Sequence, residues 1–405
     1  MTTQATVGKS TILSAMLLVG GTCIGAGMLA NPIATGIGGF FPSLISMFIS
    51  WFLMTSTGLM LLEVCLWMKD ESAHIITMSS RILGNTAKIV AWVLFCFIAY
   101  ASLISYTAGG GKQVALALSS ALDTEVSITL GCTVFAVSLT MMVYAGRVLL
   151  GGLNGFLFAA MVSAFLLLTV VGSREVEFDY LTHTRWSRTL FALPILVASF
   201  HFHSLVPSLV PLLQSHPKFL RLSIIGGSVL TFICYLVWQV LVLGTVPAEG
   251  PGSLMEAYQL GETPIEVMRA STQSEWIGVA ARYFAFFALV TSFLGMSLGL
   301  FDFLADGLKW KKVGWRRIAL IVLIALPSIY CAVNYERAFY VALETSGGFG
   351  DAVLNGLMPV MMVWVGRYRL GYNSNTMFFG GRFWLSVVFV GFLVTVCMEA
   401  IEQFM

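Results

Sequence analysis

Charge is what this chain has least of. Asp, Glu, Lys and Arg make up 10% of its 405 residues, while hydrophobic residues supply 58%; soluble domains carry about 25% charge. So little charge cannot coat a water-facing globule, and the sequence reads as an integral membrane protein. Its longest polar stretches, about 172–189 and 245–276, are acid-rich loops with no room for a soluble domain. There is no basic stripe, and a net charge of +2 gives no footprint for nucleic acid. Seven cysteines without a CxxC spacing indicate neither a zinc site nor a disulfide framework. No nucleophile–base set converges, so an enzyme is not expected and no cofactor is implied. A repeated charged ring or filter-like carbonyl loop is also missing, which argues against a channel. The first apolar run is too long for a signal-peptide core and lacks an Ala-x-Ala-like exit, so it reads as the first span.

What the chain does have is long apolar segments. They fall near 11–37, 42–66, 88–118, 126–144, 149–171, 190–213, 221–244, 277–303, 317–333, 337–366 and 383–403. Roughly 20 apolar residues cross a bilayer, so the expectation is an all-α polytopic protein of eleven spans. The abundance of Gly, Phe and Met suits close-packed helices rather than the short alternating strands of a barrel. The segment 317–333 is short, and 337–366 is long and interrupted by Gly347-Gly348. Lys and Arg gather in alternate loops, as in Lys309–Arg317 and Arg367–Arg382. That bias places the N-terminus in the cytoplasm and, with an odd span count, the tail Glu399–Met405 on the opposite side.

Two spans carry breaks. Gly20–Pro32 reads GGTCIGAGMLANP. Glycine costs about 1 kcal/mol against alanine in a helix, and proline removes a donor and clashes one turn back. In hydrocarbon a chain leaves the helix only where protein, water or ligand satisfies its freed N–H and C=O groups. A break therefore points to a binding site, with a small-residue packing face as the rival reading. The sixth span, ALPILVASFHFHSLVPSLVP, repeats the pattern, with polar residues near its middle and Pro207 just beyond. Five spans separate the two breaks, and the sixth span starts from the other side. The expectation is an inverted repeat, 10–171 and 190–366, followed by an extra helix at 383–403, with unwinding near Ile24–Gly27 and Phe200–His203.

His201 and His203 are two of only five histidines, and ionisable groups deep in a span usually mark a pathway or site. At i,i+2 they share a face only if the chain is locally extended. They are read either as a metal or proton site or as hydrogen-bonding linings of an unwound segment; zinc would want about two more ligands, and none lies nearby in sequence. Other polar intrusions are Glu63, Lys112, Thr291, Ser292, Asp302, Glu344 and Asp351. Glu63 and Asp302 sit about a turn from the inner surface, where snorkelling or helix-terminus effects could account for them. Lys112 follows Gly109-Gly110-Gly111 and either snorkels or joins the coupling. Thr291 and Ser292 offer hydroxyls to a cation or substrate, or merely to a backbone carbonyl.

Thr22–Gly27 followed by Pro32 resembles the first-helix motif Gly-Ser/Thr-x-Ile-Gly-x-Gly of the amino acid–polyamine–organocation superfamily. Ser199–Pro211, the span count and the length look like its hydroxy/aromatic amino acid permease family, over essentially the whole chain. The resemblance implies a bacterial inner-membrane importer with an inverted-repeat fold, coupled to a cation that is usually a proton. It also implies that Thr22, Ile24, Gly25, Ala26 and Gly27 meet the substrate's carboxylate. Ser199, Phe200 and His201 would meet its ammonium with backbone carbonyls. The family tends to carry glycine near the second break; here His201 and Ser204 occupy that neighbourhood.

Physical logic agrees with a zwitterion. A half-helix N-terminus beyond the first break presents N–H groups and a positive dipole end to an anion. The second break exposes carbonyls suited to an ammonium. Apolar walls for an aromatic side chain are available in Phe200, Phe202, Tyr100, Tyr106 and Phe293. Tyr100, Tyr106, Thr291 and His203 can partner a phenol or indole. The expected substrate is a large neutral aromatic amino acid, tyrosine first, with tryptophan or a broader range of neutral amino acids as the alternative. Its partner is a proton, with His201 as a group that titrates near neutrality when unperturbed; a sodium ion near Thr291 and Ser292 is the alternative.

Overall fold

The computed structural model describes residues 8–68, 74–145, 147–272, 275–335, 337–372 and 376–404, and the side chains of all of these except 147–154 and 275. Met405, at the end of the expected tail, lies outside them. The first span is a bent pair: α1 (Lys9–Cys23) and α2 (Ala26–Gly36) meet at 54°. Then come α3 (Phe40–Trp67), α4 (Ile75–Leu83), α5 (Asn85–Leu122), α6 (Ile128–Ala145) and α7 (Arg147–Gly172). The second half opens with two short helices, α8 (Leu193–Ser199) and α9 (Val206–Leu212), followed by α10 (Pro217–Thr245). Next are α11 (Leu254–Leu260), α12 (Pro264–Ser271), α13 (Glu275–Gly307), α14 (Gly314–Asn334), α15 (Ala338–Thr345), α16 (Met358–Tyr368) and α17 (Arg382–Phe404).

Among the described residues ten helical stretches are long and apolar enough to cross a membrane, or eleven if the bent pair counts as one. The protein is all-α and polytopic, with helix ends close to the apolar segments read from sequence. The Gly347-Gly348 interruption is different in kind. The helix does not stop there; Ser346–Leu357 continues it as a π-helix joining α15 to α16. A π-helix bonds i to i+5, which widens the coil and re-aims its side chains; such segments are rare and frequent at functional sites.

Two loops hold more structure than their polarity suggested. Met78, Ser79 and Ile82 of α4 lie at i, i+1 and i+4, and that buried face rests against α5 and α16. At the opposite end of the bundle, the segment after α10 forms α11 and α12. Thr263 and Glu266 cap α12 reciprocally, with Pro264 in its first turn. At the same end Gly39 turns α2 into α3 with φ +86°, and a Cβ there would meet His183 O at 1.9 Å. Only glycine fits both the conformation and the approach.

The interior places the broken helices centrally. α1 packs on α10, α2 on α8, and α8 on both α3 and the π-helix. Gly347 permits the last contact: a Cβ there would lie 1.8 Å from Pro194 O.

Candidate functional site

The first break is shorter than the sequence implied. Ile24 and Gly25 alone are non-helical, while Ala26 and Gly27 already begin α2. The second break covers Phe200–Phe202 and continues as a 3-10 turn at His203–Leu205. In an uninterrupted helix Cys23 O would accept from the amide of Gly27, and Ser199 O from that of His203. The breaks remove those donors, and both carbonyls turn to Tyr235 of α10. Its hydroxyl lies 2.7 Å from Cys23 O and 2.7 Å from Ser199 O. Tyr235 is buried, with its ring 4.8 Å from that of Phe200.

The far side of the first break is held by a different helix. Ala26 N–H donates to Ser292 Oγ of α13 at 3.2 Å, capping one of the orphan amides that open α2. A Cβ on Gly25 would meet that oxygen at 2.3 Å. Gly27 then presses on α8: its Cβ would stand 2.9 Å from Ser199 Cα. Ser199 Oγ lies 2.7 Å from Ile195 O, 2.7 Å from Asn31 Oδ1 and 3.1 Å from Gly27 O, so its one proton is shared along the seam between α2 and α8. Ser199, Gly25, Gly27, Ala26 and Ser292 are thus gathered in one place.

The two histidines diverge. His201 Nδ1 is 2.6 Å from Asp351 Oδ1 on the π-helix. Asp351 is buried, and its carboxylate also accepts from Asn355 Nδ2 at 2.7 Å and faces Ser346 Oγ at 3.4 Å. His203 Nε2 lies 2.9 Å from Thr57 Oγ1 on α3. That hydroxyl sits 3.2 Å from Leu53 O and Met54 O, which fits a His203 that donates from Nε2 to Thr57. Phe202 fills the space beside Gly58, where a Cβ would stand 2.6 Å from its ring. The histidine rings are 6.3 Å apart and nearly perpendicular. Among the described residues, no group of three His, Cys, Asp or Glu side chains is placed to hold a metal ion.

Several residues singled out from sequence have other engagements. Thr22 is exposed and its hydroxyl donates to Leu18 O of its own helix at 2.7 Å. Ile24 is half-buried at the break itself. Thr291 donates to Phe287 O at 2.8 Å, the bland satisfaction of a membrane hydroxyl. Tyr100 donates to Leu323 O on α14 at 3.0 Å. Phe293 is buried edge-on to Phe135 at 5.4 Å. Lys112 reaches Glu266 in the α12 capping box at 3.0 Å, so its charge is answered at the α11–α12 end of the bundle. Glu63 does not snorkel. It is buried and forked by Arg367, with Nε–Oε1 and Nη2–Oε2 both 2.7 Å, and accepts from Met377 N–H at 2.9 Å. Asp302 receives Lys312 Nζ at 2.7 Å.

Sequence reasoning missed Tyr235 and Asn31 and left Asp351 without a partner. A tyrosine in an apolar run carries no signal that its hydroxyl meets two helix ends. Asn31, one residue before Pro32, was a polar group inside a span and deserved the weight given to the histidines.

Known proteins share this architecture. The structure of MhsT in complex with L-phenylalanine superposes with a TM-score of 0.60 at 13% identity, covering 96% of this chain and 97% of that one. A manganese transporter of Eremococcus coleocola gives 0.62 at 14%, covering 99% and 89%. At such identities the likeness concerns the fold. In sequence, the chain is 32% identical to tyrosine-specific transport system 1 of Haemophilus influenzae over 384 residues, 94% of each chain. It is 29% identical to that organism's tryptophan-specific transport protein, over 93% of this chain and 92% of the relative. The family model for tryptophan/tyrosine permeases matches residues 8–399. The chain belongs to the tryptophan/tyrosine permease family, and is a membrane-embedded secondary active amino-acid transporter.

Proposed function

We propose that the protein imports an aromatic amino acid, tyrosine first and tryptophan as the close alternative, together with a proton across a bacterial inner membrane. The observation that carries this reading is the meeting of the two breaks. The C-terminal carbonyls of α1 and α8 converge within reach of one hydroxyl, a partly negative spot suited to an ammonium. The N-terminus of α2 opens beside them and suits a carboxylate. Both recognise any amino acid. The aromatic preference rests on the relatives, two of which are named for tyrosine and tryptophan, and on the phenylalanine, tyrosine and histidine side chains around the second break.

In this reading the chain is an inverted repeat, 10–171 and 190–366, with α17 outside it and eleven spans in all. The N-terminus is cytoplasmic and the α11–α12 end faces the periplasm, as the Lys and Arg distribution favours. Protons are favoured over sodium because His201, on the unwound segment, meets a buried carboxylate at 2.6 Å. Protonation changes the charge of that pair and with it the hold of the second break on the π-helix. The test is uptake of labelled tyrosine into proteoliposomes in competition with all twenty amino acids, with pH and sodium gradients imposed separately. Inhibition by tyrosine or tryptophan but not by lysine, glutamate or alanine is expected, with accumulation driven by the pH gradient alone. Preference for serine or arginine, or a strict sodium requirement, overturns the reading.

A further inference from the structure

Tyr235 presents a mismatch of donors and acceptors. Its hydroxyl oxygen stands 2.7 Å from two carbonyl oxygens, Cys23 O and Ser199 O, yet a phenol carries a single proton. It donates to one carbonyl at a time, and its other short contact is between lone pairs. Both carbonyls end half-helices, where no backbone amide remains to serve them and the helix dipole leaves partial negative charge. The Ser199 side chain gives no relief, since its own proton serves Ile195 O, Asn31 Oδ1 and Gly27 O. The point where the carbonyls converge therefore suits a group with two or more donors and positive charge. A primary ammonium has three donors.

We propose that Tyr235 is an internal competitor for the substrate's ammonium. The phenol hydroxyl and the ammonium are alternatives at Cys23 O and Ser199 O, and binding exchanges the first for the second. This rests on the reading of the chain as an amino-acid carrier. The exchange makes Tyr235 a positioning residue with a selective effect. A ligand with a charged ammonium trades one donor for several and displaces the phenol. An analogue without the amine cannot answer the two carbonyls, so it gains nothing at that point. Because the phenol ring packs against Phe200 at a tilt of 49°, its departure also frees the residue that starts the second break.

The experiment measures binding of tyrosine and of its deaminated analogue, 3-(4-hydroxyphenyl)propionate, to purified full-length protein and to Tyr235→Phe. Removing the hydroxyl leaves two unserved carbonyls for the ammonium, so tyrosine should bind about tenfold more tightly, with the deaminated analogue unchanged. Weaker tyrosine binding would make the hydroxyl a substrate contact, and equal shifts for both ligands would make it a structural clamp; either result overturns the proposal. Should Tyr235→Phe fail to insert, the wild-type chain with 3-fluorotyrosine at position 235 gives an independent readout. Its 19F resonance should move on adding tyrosine and stay put with the deaminated analogue; an unmoved resonance on tyrosine binding overturns the proposal. If another amino acid wins the competition screen, the substrate reading fails by itself. The same comparison then runs with that amino acid and its deaminated form, because the ammonium is common to all.

Discussion

Replacing Gly25 by alanine tests whether the first break is held by Ser292. The added Cβ would sit 2.3 Å from Ser292 Oγ, but 3.7 Å from Ser292 Cβ and 4.0 Å from Ala288 O. The hydroxyl is thus the only obstacle, and rotating the serine clears it. Rotation takes the oxygen away from the Ala26 amide, which it now accepts from at 3.2 Å. Leaving a buried amide without a partner costs about 1–3 kcal/mol. The Ser292 bond, unlike that of Tyr235, is kept when ligand binds. Without it the free protein relaxes out of the binding shape, and affinity falls by up to about 5- to 150-fold. Ser292→Ala loses the same bond, so it should weaken binding by a similar factor. The double variant has already lost the bond and has no hydroxyl to clash with, so it should be little worse than either single one. A double-mutant cycle on tyrosine Kd, read with surface abundance as control, should show strong coupling between the sites. Gly27→Ala is the contrasting case. Its Cβ would meet Ser199 Cα at 2.9 Å, which is backbone, and no serine rotation relieves that. Binding losses for Gly25→Ala and Ser292→Ala that simply multiply, or a normal Kd for Gly25→Ala, would refute this account of the break.

Two further outcomes follow from the buried ion pairs. Asp351→Asn keeps the carboxylate's shape beside Asn355 but removes its charge opposite His201, so pH-driven accumulation of tyrosine should fall at least tenfold while gradient-free counterflow persists; unchanged accumulation rules the pair out as the proton's site. Arg367→Ala strips Glu63 of its bidentate partner while leaving the carboxylate buried, at a cost of about 3–5 kcal/mol, so thermal unfolding of the detergent-purified protein should drop by several degrees, whereas an unshifted midpoint shows Glu63 to be neutral or hydrated.

The span pattern and the two breaks were legible because they rest on local chemistry. Apolar length marks a span; glycines mark the first break, and polar residues inside a span with Pro207 just beyond mark the second. The extent of each break was less legible, since capping decides it. Ser292 caps α2 so early that Ala26 and Gly27 are already helical. The π-helix read as an interruption because glycine pairs look alike in either case. Gly347 and Gly348 instead admit Pro194 O and Glu399 to the helix surface. Lys112 and Glu63 were visible as charges out of place, but their partners lie in a capping box and in the last turn of α16. Pairing of that kind depends on the fold and leaves no trace in spacing.

The bonds around the breaks also constrain how a ligand can move the protein. α8 is tied to α2 through Ser199, to the end of α1 through Tyr235, and to the π-helix through the approach of Gly347 to Pro194. The segment after it is tied elsewhere, through His201 to Asp351 and through His203 to Thr57. A ligand shifts a conformational equilibrium only by the difference in its interaction with the two states. Contacts made equally in both, such as burial of an aromatic ring among phenylalanines, set affinity and leave the equilibrium alone. Differences arise where binding exchanges one bond for another, and the proposed reading has two such places. At one, an ammonium competes with a phenol for the ends of α1 and α8. At the other, a proton alters the charge of the pair joining the second break to the π-helix. On the proposed reading the substrate acts at Ser199, where the unwound residues Phe200–Phe202 begin, and the proton acts at His201 within them. Coupling then needs no long pathway, since both ligands bias the same few residues.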